Sequence, residues 1–556
     1  MMKMRTQAAV GAVLLTAFSP AAQAEDTWDF LITNARIVDG SGNPWFRGAV
    51  AIDDGKIAWI GNEATETMRA ARIIDAKDRV VSPGFMDFMG QSTLVYVTNP
   101  ASARSRLTQG ITVHLSGEGG SPAPQNETTQ PDPVMIQGKP YRWRTYKEYF
   151  DILEKLGVPV NVVHNVGAAQ VRRVVMGVED RKPTPREMDA MKTLVDDAMR
   201  DGASGLSTAL IYPPGNYQTT AELVELAKMV KPYGGFYSTH MRNESNQLLQ
   251  AIDESIAIGK GADIPVQIYH LKAAGVKNWP LMQKAVDKIA DARTAGLDVT
   301  TDIYPYVRNG IGLGSFVPPW SYAKGAEAFY KTLADPKVRA DLRKVVETDT
   351  SWENWYDHVG QDWANVQITD DRLGKELAGL SIAEAAKLRG KEVWTFVFDT
   401  IAEGGVSVAP LSMNEEQKRI ALKAPFVMIN TDTSPASPDV DGIATHPRAY
   451  GTMPRVLAKY VREEKVIPLE EAIRRMTSAS ANRLGLFDRG RLGVGYAADV
   501  LIFDPDTIQD RATFENPAQY STGMDYVFVN GVLAIDDGKL TGARAGKVIR
   551  YDRARK

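Results

Sequence analysis

Residues 234–270, GGFYSTHMRNESNQLLQAIDESIAIGKGADIPVQIYH, contain two short apolar runs on either side of a helix-like segment. The runs GGFYSTH (234–240) and IPVQIYH (264–270) have the length and the aromatic or β-branched content of buried strands. A strand, an amphipathic helix and a second strand predict a parallel βαβ unit. Both strands end in a histidine, so His240 and His270 are predicted to point into the same crevice.

Six further apolar runs extend this pattern along the chain. The predicted strands are 84–91, 112–118, 158–166, 202–210, 234–240, 264–270, 297–306 and 426–432. Eight such strands with intervening helices predict an α/β fold, a (β/α)8 TIM-like barrel, whose chemistry takes place at the carboxyl ends of the strands. Capping-box sequences at 184–187 and 219–222 predict two helix starts.

Both ends of the chain have β-hairpin patterns. The sequence AIDDGK occurs at 51–56 and again at 534–539, and its Asp-Gly pair favours a tight turn. We therefore predict a small β-sandwich assembled from residues 25–81 and 483–556, with the barrel spanning 82–482. Residues of about 310–395, rich in Trp, Lys and Asp, are predicted to be a helical insertion between strands 7 and 8 of the barrel.

The composition excludes several functions. The chain of 556 residues has no cysteine and a formal net charge of −3. Disulfides, thiolate ligands and a cysteine nucleophile are therefore excluded, and no basic surface for nucleic acid is expected. Residues 1–24 have a positive start, a short apolar core and the cleavage-site pattern Ala22-Gln23-Ala24, which is typical of a secretory signal peptide. We expect a periplasmic or secreted protein without a membrane anchor, and the sequence indicates no oligomeric state.

Two acidic residues also end predicted strands, Glu118 after the second and Asp432 after the eighth. Imidazole nitrogens and carboxylate oxygens are natural Zn²⁺ ligands, and one Glu with two His leaves a coordination position open for water. We predict one metal ion per chain, Zn²⁺ or another divalent cation, bound by Glu118, His240 and His270. Asp432 would then accept a proton from the attacking water and pass it to a leaving amine.

Five longer segments resemble the D-aminoacylase (N-acyl-D-amino-acid deacylase) branch of the amidohydrolase superfamily. They are GASGLSTALIYPPGNYQTTAEL (202–223), YSTHMRNES (237–245), VQIYHLKAAG (266–275), TTDIYPY (300–306) and THPRAYGTMPRVLAKYVREE (445–464). The resemblance implies hydrolysis of N-acyl-D-amino acids, or of dipeptide-like compounds with a D-residue on the C-terminal side. It also implies zinc binding by His240 and His270 and a catalytic role for Asp432. Glu118 stands where this branch usually has a cysteine, and a carboxylate is a plausible substitute.

One segment departs from the superfamily pattern. The stretch SPGFMDFMGQSTL (82–94) has Met89-Gly90-Gln91 where the superfamily normally has His-x-His for an outer metal. A thioether is a poor Zn²⁺ ligand and an amide oxygen only a modest one. We therefore expect an active enzyme with a single inner metal, in which Gln91 hydrogen-bonds the metal-bound water or Asp432. The alternative is a catalytically inactive periplasmic relative that retains only binding.

The resemblance assigns the substrate-binding positions as well. Lys272, Arg448 and Tyr304 are expected to bind the carboxylate of the small-molecule substrate. Tyr212 is a candidate for contacting the scissile carbonyl or the acyl group, and Met413 for lining the side-chain pocket. Two rival functions use the same scaffold, a dipeptidase and a cyclic-amide hydrolase. A ring-opening enzyme has less need to bind a free carboxylate, so Lys272 and Arg448 favour a linear substrate.

The chain has six histidines in all, and four of them are not proposed as ligands. His114 and His164 are expected to be structural. His358, within the insertion, is expected at the surface or in a lid. His446 is expected either to support the site from behind or to be an ordinary loop residue.

Overall fold

The computed structural model describes residues 27–65, 67–438 and 446–551. The predicted signal peptide, residues 1–24, therefore lies outside the described residues. Among the helices of those described ranges, none is both long enough and apolar enough to cross a lipid bilayer.

The central part of the chain forms a barrel of eight parallel strands. In chain order, barrel strands 1–8 are Phe85–Asp87, Ile111–Ser116, Asn161–His164, Gly205–Ala209, Phe236–His240, Val266–Ile268, Val299–Ile303 and Val427–Ile429. Strands 1–3 and strands 4–8 are paired continuously. Backbone hydrogen bonds close the two seams, from Ser204 N to His164 O (2.8 Å) and from Asp432 N to Met89 O (2.9 Å). The predicted strand order is confirmed, although all eight strands are shorter than predicted.

Helices connect the strands and cover the barrel. They are Val95–Thr98, Ala103–Leu107, Tyr146–Leu156, Ala168–Met176, Pro185–Asp201, Thr220–Lys228, Leu248–Ala262, Leu281–Thr294, Glu415–Lys423, Arg448–Arg455, the π-helical turn Val456–Glu463, Leu469–Met476 and Ser478–Arg483. The helix Leu248–Ala262, between the two histidine-bearing strands, buries positions 248, 251, 252, 255, 258, 259 and 262. This spacing is one face of an α-helix, so the sequence periodicity alone directs that face onto the sheet. Both predicted capping boxes are formed.

The two ends of the chain combine in one nine-stranded sheet. Its strands are Trp28–Ile37, Phe46–Asp53, Lys56–Gly61, Ala70–Asp75, Val80–Pro83, Val500–Phe503, Met524–Val529, Val532–Asp536 and Lys539–Leu540. Strand Val80–Pro83 pairs with Val500–Phe503 and joins the two segments. In both AIDDGK sequences the Asp-Gly pair has positive φ, at Asp54-Gly55 and Asp537-Gly538, which is the backbone of a type I′ hairpin turn.

Residues 311–410 form an insertion between barrel strands 7 and 8, with an apolar core of its own. Its helices are Ala326–Thr332, Pro336–Thr348, Trp355–His358, Ile382–Leu388 and Val393–Ala402, and its strands are Ile311–Gly312, Val366–Ile368 and Ser407–Pro410. We predicted that the insertion ends at about residue 395, but it extends to residue 410. It was predicted to be helical, but it contains three strands as well. Strand Ser407–Pro410 returns to pair antiparallel with both of the other strands, and this long-range pairing has no local sequence signal.

Candidate metal centre

Glu118, His240 and His270 converge at the carboxyl end of the barrel. Oε1 of Glu118 lies 3.0 Å from Nδ1 of His240 and 2.9 Å from Nε2 of His270. One potential ligand atom from each residue lies within 4.8 Å of the other two. His240 is the last residue of strand 5, His270 follows strand 6, and Glu118 follows strand 2 through Gly117. Gly117 has a φ of +116°, and a Cβ there would meet the carbonyl oxygen of Asn165 at 2.7 Å, so this turn requires glycine.

The donor set fits a divalent cation of the zinc type. Two imidazole nitrogens and one carboxylate oxygen are the ligands of catalytic zinc sites with one open position. Burial alone would raise the pKa of Glu118, but hydrogen bonds from His240 and His270 outweigh it and hold that pKa well below its ordinary value. Glu118 is therefore an ionised carboxylate. The three side chains are buried or nearly so, which keeps competing water away from the ligand atoms.

Glu244 and Lys272 lie directly behind the two histidines. Oε1 of Glu244 is 3.1 Å from Nδ1 of His270, and its Oε2 is 3.5 Å from Nε2 of His240. The Lys272 ammonium contacts both oxygens of Glu244, at 2.6 and 2.7 Å. Burial opposes ionisation of Glu244, yet the charges of Lys272 and the histidines hold its pKa far below the ordinary range. Nδ1 of His270 also lies 2.7 Å from Nζ of Lys272, and Nε2 of His240 has no hydrogen-bond partner in the described part of the chain. Glu244 and Lys272 together thus surround the ring nitrogens that face away from Glu118.

Asp432 lies at the mouth of the same site, held from two sides. Arg448 donates from Nη1 to its Oδ2 at 2.6 Å, and Gln91 donates from Nε2 to its Oδ1 at 3.2 Å. The same Gln91 nitrogen lies 2.6 Å from Oε2 of Glu118 and so bridges the two acids. Gln91, His270 and Asp432 all have positive φ, at +60°, +36° and +47°. Left-handed backbone at non-glycine residues is strained and clusters at functional sites.

The Met89-Gly90-Gln91 segment offers no imidazole to an outer metal. Met89 is buried in an apolar cluster, with its sulfur 3.2 Å from Nε2 of Gln91. A Cβ at Gly90 would meet Nε2 of His114 at 2.5 Å, so the chain passes tightly over that ring. The Gln91 amide thus takes the space between Glu118 and Asp432.

Lys272, Arg448 and Met413 lie beside Tyr304 as expected, but Lys272 does not have the free ammonium that a carboxylate-binding role requires. It is buried and paired with Glu244. Of the cations beside Tyr304, Lys418 from helix Glu415–Lys423 is the one with no ion pair to a carboxylate in the described part of the chain. Its side chain is 2 % exposed, its nitrogen contacts Met413 Sδ at 3.1 Å, and burial lowers its pKa to about 7.

Tyr304 is flanked by three cations, of which Lys272, 5.8 Å from the ring centroid, is already paired with Glu244. Lys418 Nζ and the Arg448 guanidinium lie 4.9 and 4.8 Å from its ring centroid. The Tyr304 hydroxyl and Arg448 Nε are buried, and neither has a hydrogen-bond partner in the described part of the chain. Both donors are available to an acceptor that the described residues do not supply. Met413 packs beside Tyr304, as part of the same apolar cluster.

The four remaining histidines are all buried, so of the two positions expected for His358, at the surface or in a lid, the surface position was wrong. His358 packs against Trp355, with ring centroids 4.9 Å apart, and burial lowers its pKa to about 4. His114 and His164 bond to Tyr96 and Thr93 in the barrel. His446 accepts the backbone N–H of Arg448 at 3.1 Å, and therefore holds the loop that carries that arginine.

Two contributors were missed at the sequence level, Glu244 and Lys418. Glu244 follows His240 by four residues in the polar sequence RNES, which does not indicate burial. Its partners, His270 and Lys272, follow strand 6 and are distant in sequence. Lys418 lies in the charged sequence EEQKR, which is typical of a solvated helix face. Only its contacts with the Tyr304 ring and with Met413 in the folded chain reveal that Lys418 is enclosed.

Comparison with known proteins places the chain in a family. A model of the amidohydrolase family matches residues 72–535. A D-aminoacylase from Alcaligenes xylosoxydans xylosoxydans is 31% identical over 525 residues, which are 94% of this chain and 97% of that protein. A solved D-aminoacylase structure, described with a binuclear metal centre, one-metal activation and second-metal attenuation, has 30% identity and a TM-score of 0.77 and covers 94% of this chain and 100% of its own. The structure of an N-acyl-D-glutamate deacylase from Bordetella bronchiseptica, complexed with zinc and a phosphonate mimic of the tetrahedral intermediate, has 29% identity and a TM-score of 0.77, with the same coverage of both chains.

Proposed function

This chain belongs to the amidohydrolase family, and from that premise we propose that it hydrolyses the amide bond of N-acyl-D-amino acids with one bound Zn²⁺ per chain. The observation that carries the proposal is the convergence of Glu118, His240 and His270 beside Asp432. When held by these three ligands, the metal supplies an activated water and polarises the amide carbonyl. Relatives named for D-aminoacylase and N-acyl-D-glutamate deacylase activities support the substrate class.

In this proposal Asp432 moves the proton. Its carboxylate takes the proton of the attacking water and delivers it to the amine nitrogen as the carbon–nitrogen bond breaks. Arg448 and Gln91 fix the carboxylate, each holding one of its oxygens. Glu244 lies behind the two histidines, beside the ring nitrogens that face away from Glu118. The products are a carboxylic acid and a free amino acid.

The substrate carboxylate is proposed to bind at Tyr304, with Lys418 in the role first expected for Lys272. A buried ammonium without a counter-ion is costly, and a ligand carboxylate supplies one. The Tyr304 hydroxyl and Arg448 Nε provide two more unpaired donors beside it. A dipeptide with a C-terminal D-residue presents the same carboxylate. A cyclic amide presents none, which makes the linear substrate the better match.

We expect zinc-loaded protein to hydrolyse N-acetyl-D-amino acids faster than their L-enantiomers, the preference for which its relatives are named. The test is a panel of N-acetyl-D- and N-acetyl-L-amino acids, with hydantoins and D-residue dipeptides as the rival substrates. Preference for a hydantoin would favour the cyclic-amide hydrolase. A protein that binds zinc but hydrolyses nothing in the panel would contradict the proposal and favour a relative that only binds its ligand. Such a protein would be exported if residues 1–24 act as the proposed signal peptide.

Replacing Lys418 by methionine is expected to raise KM for N-acyl-D-amino acids about 10- to 100-fold, the usual effect of losing a hydrogen bond to a charged group. Methionine is similar in length, so the packing around Tyr304 is retained. The matched control is the corresponding N-acyl-D-amino acid amide, for which KM should change by less than about threefold.

The same variant carries a pH signature. Because the pKa of Lys418 is lowered to about 7, its ammonium is charged below that pH and neutral above it. The wild-type advantage in kcat/KM over Lys418→Met should therefore be largest near pH 6 and shrink as pH rises through 7. An advantage independent of pH, or equal for acid and amide substrates, would show that Lys418 is only a packing residue.

A further inference from the structure

A cavity of about 420 Å³ lies between the loop after barrel strand 4 and the insertion. Its walls are largely aliphatic and aromatic, and include Ile211, Leu313, Val317, Tyr322, Trp352 and Ile401. Glycines at 312, 314, 404 and 405 also line it and leave its volume free of side chains. Binding sites for small apolar groups have this size and lining.

The two ionisable groups in the wall other than tyrosines, Glu353 and Arg372, do not make the cavity polar. Glu353 accepts the backbone N–H of Glu244 at 3.0 Å, and burial together with the nearby Glu244 charge raises its pKa to about 8. It is therefore uncharged at neutral pH. Arg372 is paired with Asp370 at 2.6 Å. The cavity thus favours hydrocarbon over a charged or strongly polar group.

The cavity lies at the opposite end of the site from the proposed carboxylate-binding residues. Tyr212 belongs to its wall. The rings of Tyr212, His240, His270 and Tyr304 follow one another across the site, with centroid separations of 5.5, 4.5 and 6.3 Å. A substrate whose carboxylate is at Tyr304 and whose amide is over the histidines therefore extends its acyl group past Tyr212.

We propose that this cavity binds the acyl chain, and that the preferred substrates are N-acyl-D-amino acids with a medium- or long-chain fatty acyl group rather than acetyl. The proposal rests on the proposed function, which it makes more specific. The insertion contributes most of the wall, so it acts as the acyl-binding part of the enzyme.

The test is a series of N-acyl-D-alanines from acetyl through butyryl and hexanoyl to octanoyl. Each added methylene that leaves water for the cavity is expected to raise kcat/KM about two- to fourfold. Gly312→Phe should lower kcat/KM for the octanoyl substrate at least tenfold more than for the acetyl one. A Cβ at Gly312 meets no atom within 4 Å and its φ is not positive, so a side chain there has room to enter the cavity. Gly312→Ala is the matched control and should retain most of the chain-length dependence.

A flat acyl series with measurable acetyl turnover would overturn the acyl-chain assignment and leave the deacylase function standing. The acyl-chain assignment would also be overturned if rates rose instead with the length of the amino-acid side chain, in an N-acetyl series from D-alanine to D-norleucine. If no N-acyl amino acid is hydrolysed, the deacylase function fails. Calorimetry with zinc-loaded Asp432→Asn protein then tests separately whether the cavity binds an acyl chain. Tighter binding of N-octanoyl- than of N-acetyl-D-alanine, lost in Gly312→Phe, supports it, and equal or absent binding overturns it.

Discussion

Asp432→Asn is expected to lower kcat by about 10²–10⁴-fold while the protein keeps one zinc per chain. This is the usual contribution of a positioned general acid–base group. Asparagine has the same shape and can still accept from Arg448 through its amide oxygen, so the architecture is retained while the proton acceptor is lost. Asp432 is not among the three ligands that converge, and its removal should therefore leave metal binding intact.

The measurement is kcat for an N-acyl-D-amino acid together with zinc content of the same preparation. A matched control is Asp302→Asn, which changes a buried carboxylate that bonds to Gln267, Asn430 and the His270 backbone rather than to the substrate side. Burial raises the pKa of Asp302 to about 7, so much of it is already protonated near neutral pH. An Asp432→Asn protein with unchanged kcat would mean that another group moves the proton. One that has lost its zinc would mean that Asp432 is itself a ligand.

The barrel was predictable because its strands are buried on both faces and are therefore nearly continuous apolar runs between helix signals. GGFYSTH and IPVQIYH need no tertiary information to be identified as strands. The insertion boundary was less predictable, since strand Ser407–Pro410 is defined only by partners about 40 and 100 residues away. Local sequence identifies a single helix or strand well. It does not show which distant strands pair, and here that pairing sets the boundary of the insertion.

The candidate ligands were predictable for a related reason. Strand ends of a barrel share one face, so Glu118, His240 and His270 could be grouped from their positions alone. The charges around them could not. Lys272 follows an apolar strand and Lys418 lies in the charged sequence EEQKR. Yet Lys272 is neutralised by Glu244, and Lys418 has no carboxylate partner within the described ranges. Which of the two lysines lacks a carboxylate partner depends on how side chains of different helices and strands pack together. The spacing of residues along the sequence does not contain that information.

His270→Asn is expected to abolish both stoichiometric zinc binding and hydrolysis, because two ligands cannot hold the ion at micromolar concentration against a chelator. Glu244→Gln should give a different result. It removes the carboxylate behind both histidines and leaves all three ligands, so zinc affinity should fall about 10- to 100-fold while turnover recovers at high zinc. Both affinities are measured by competition with a chromophoric chelator, with activity followed in parallel.

The control for these two variants is His164→Asn. His164 also ends a barrel strand and is also buried, but its ring nitrogen bonds to Thr93 at 2.7 Å, away from the ligand cluster. It should retain zinc at wild-type affinity even if the variant is less stable. If the His164 variant also lost zinc, the loss of zinc binding in His270→Asn would be explained by impaired folding rather than by a missing ligand. Full zinc content and turnover in His270→Asn would remove the basis for the metal centre, since Glu118 and His240 alone leave a site too open to hold the ion and activate water.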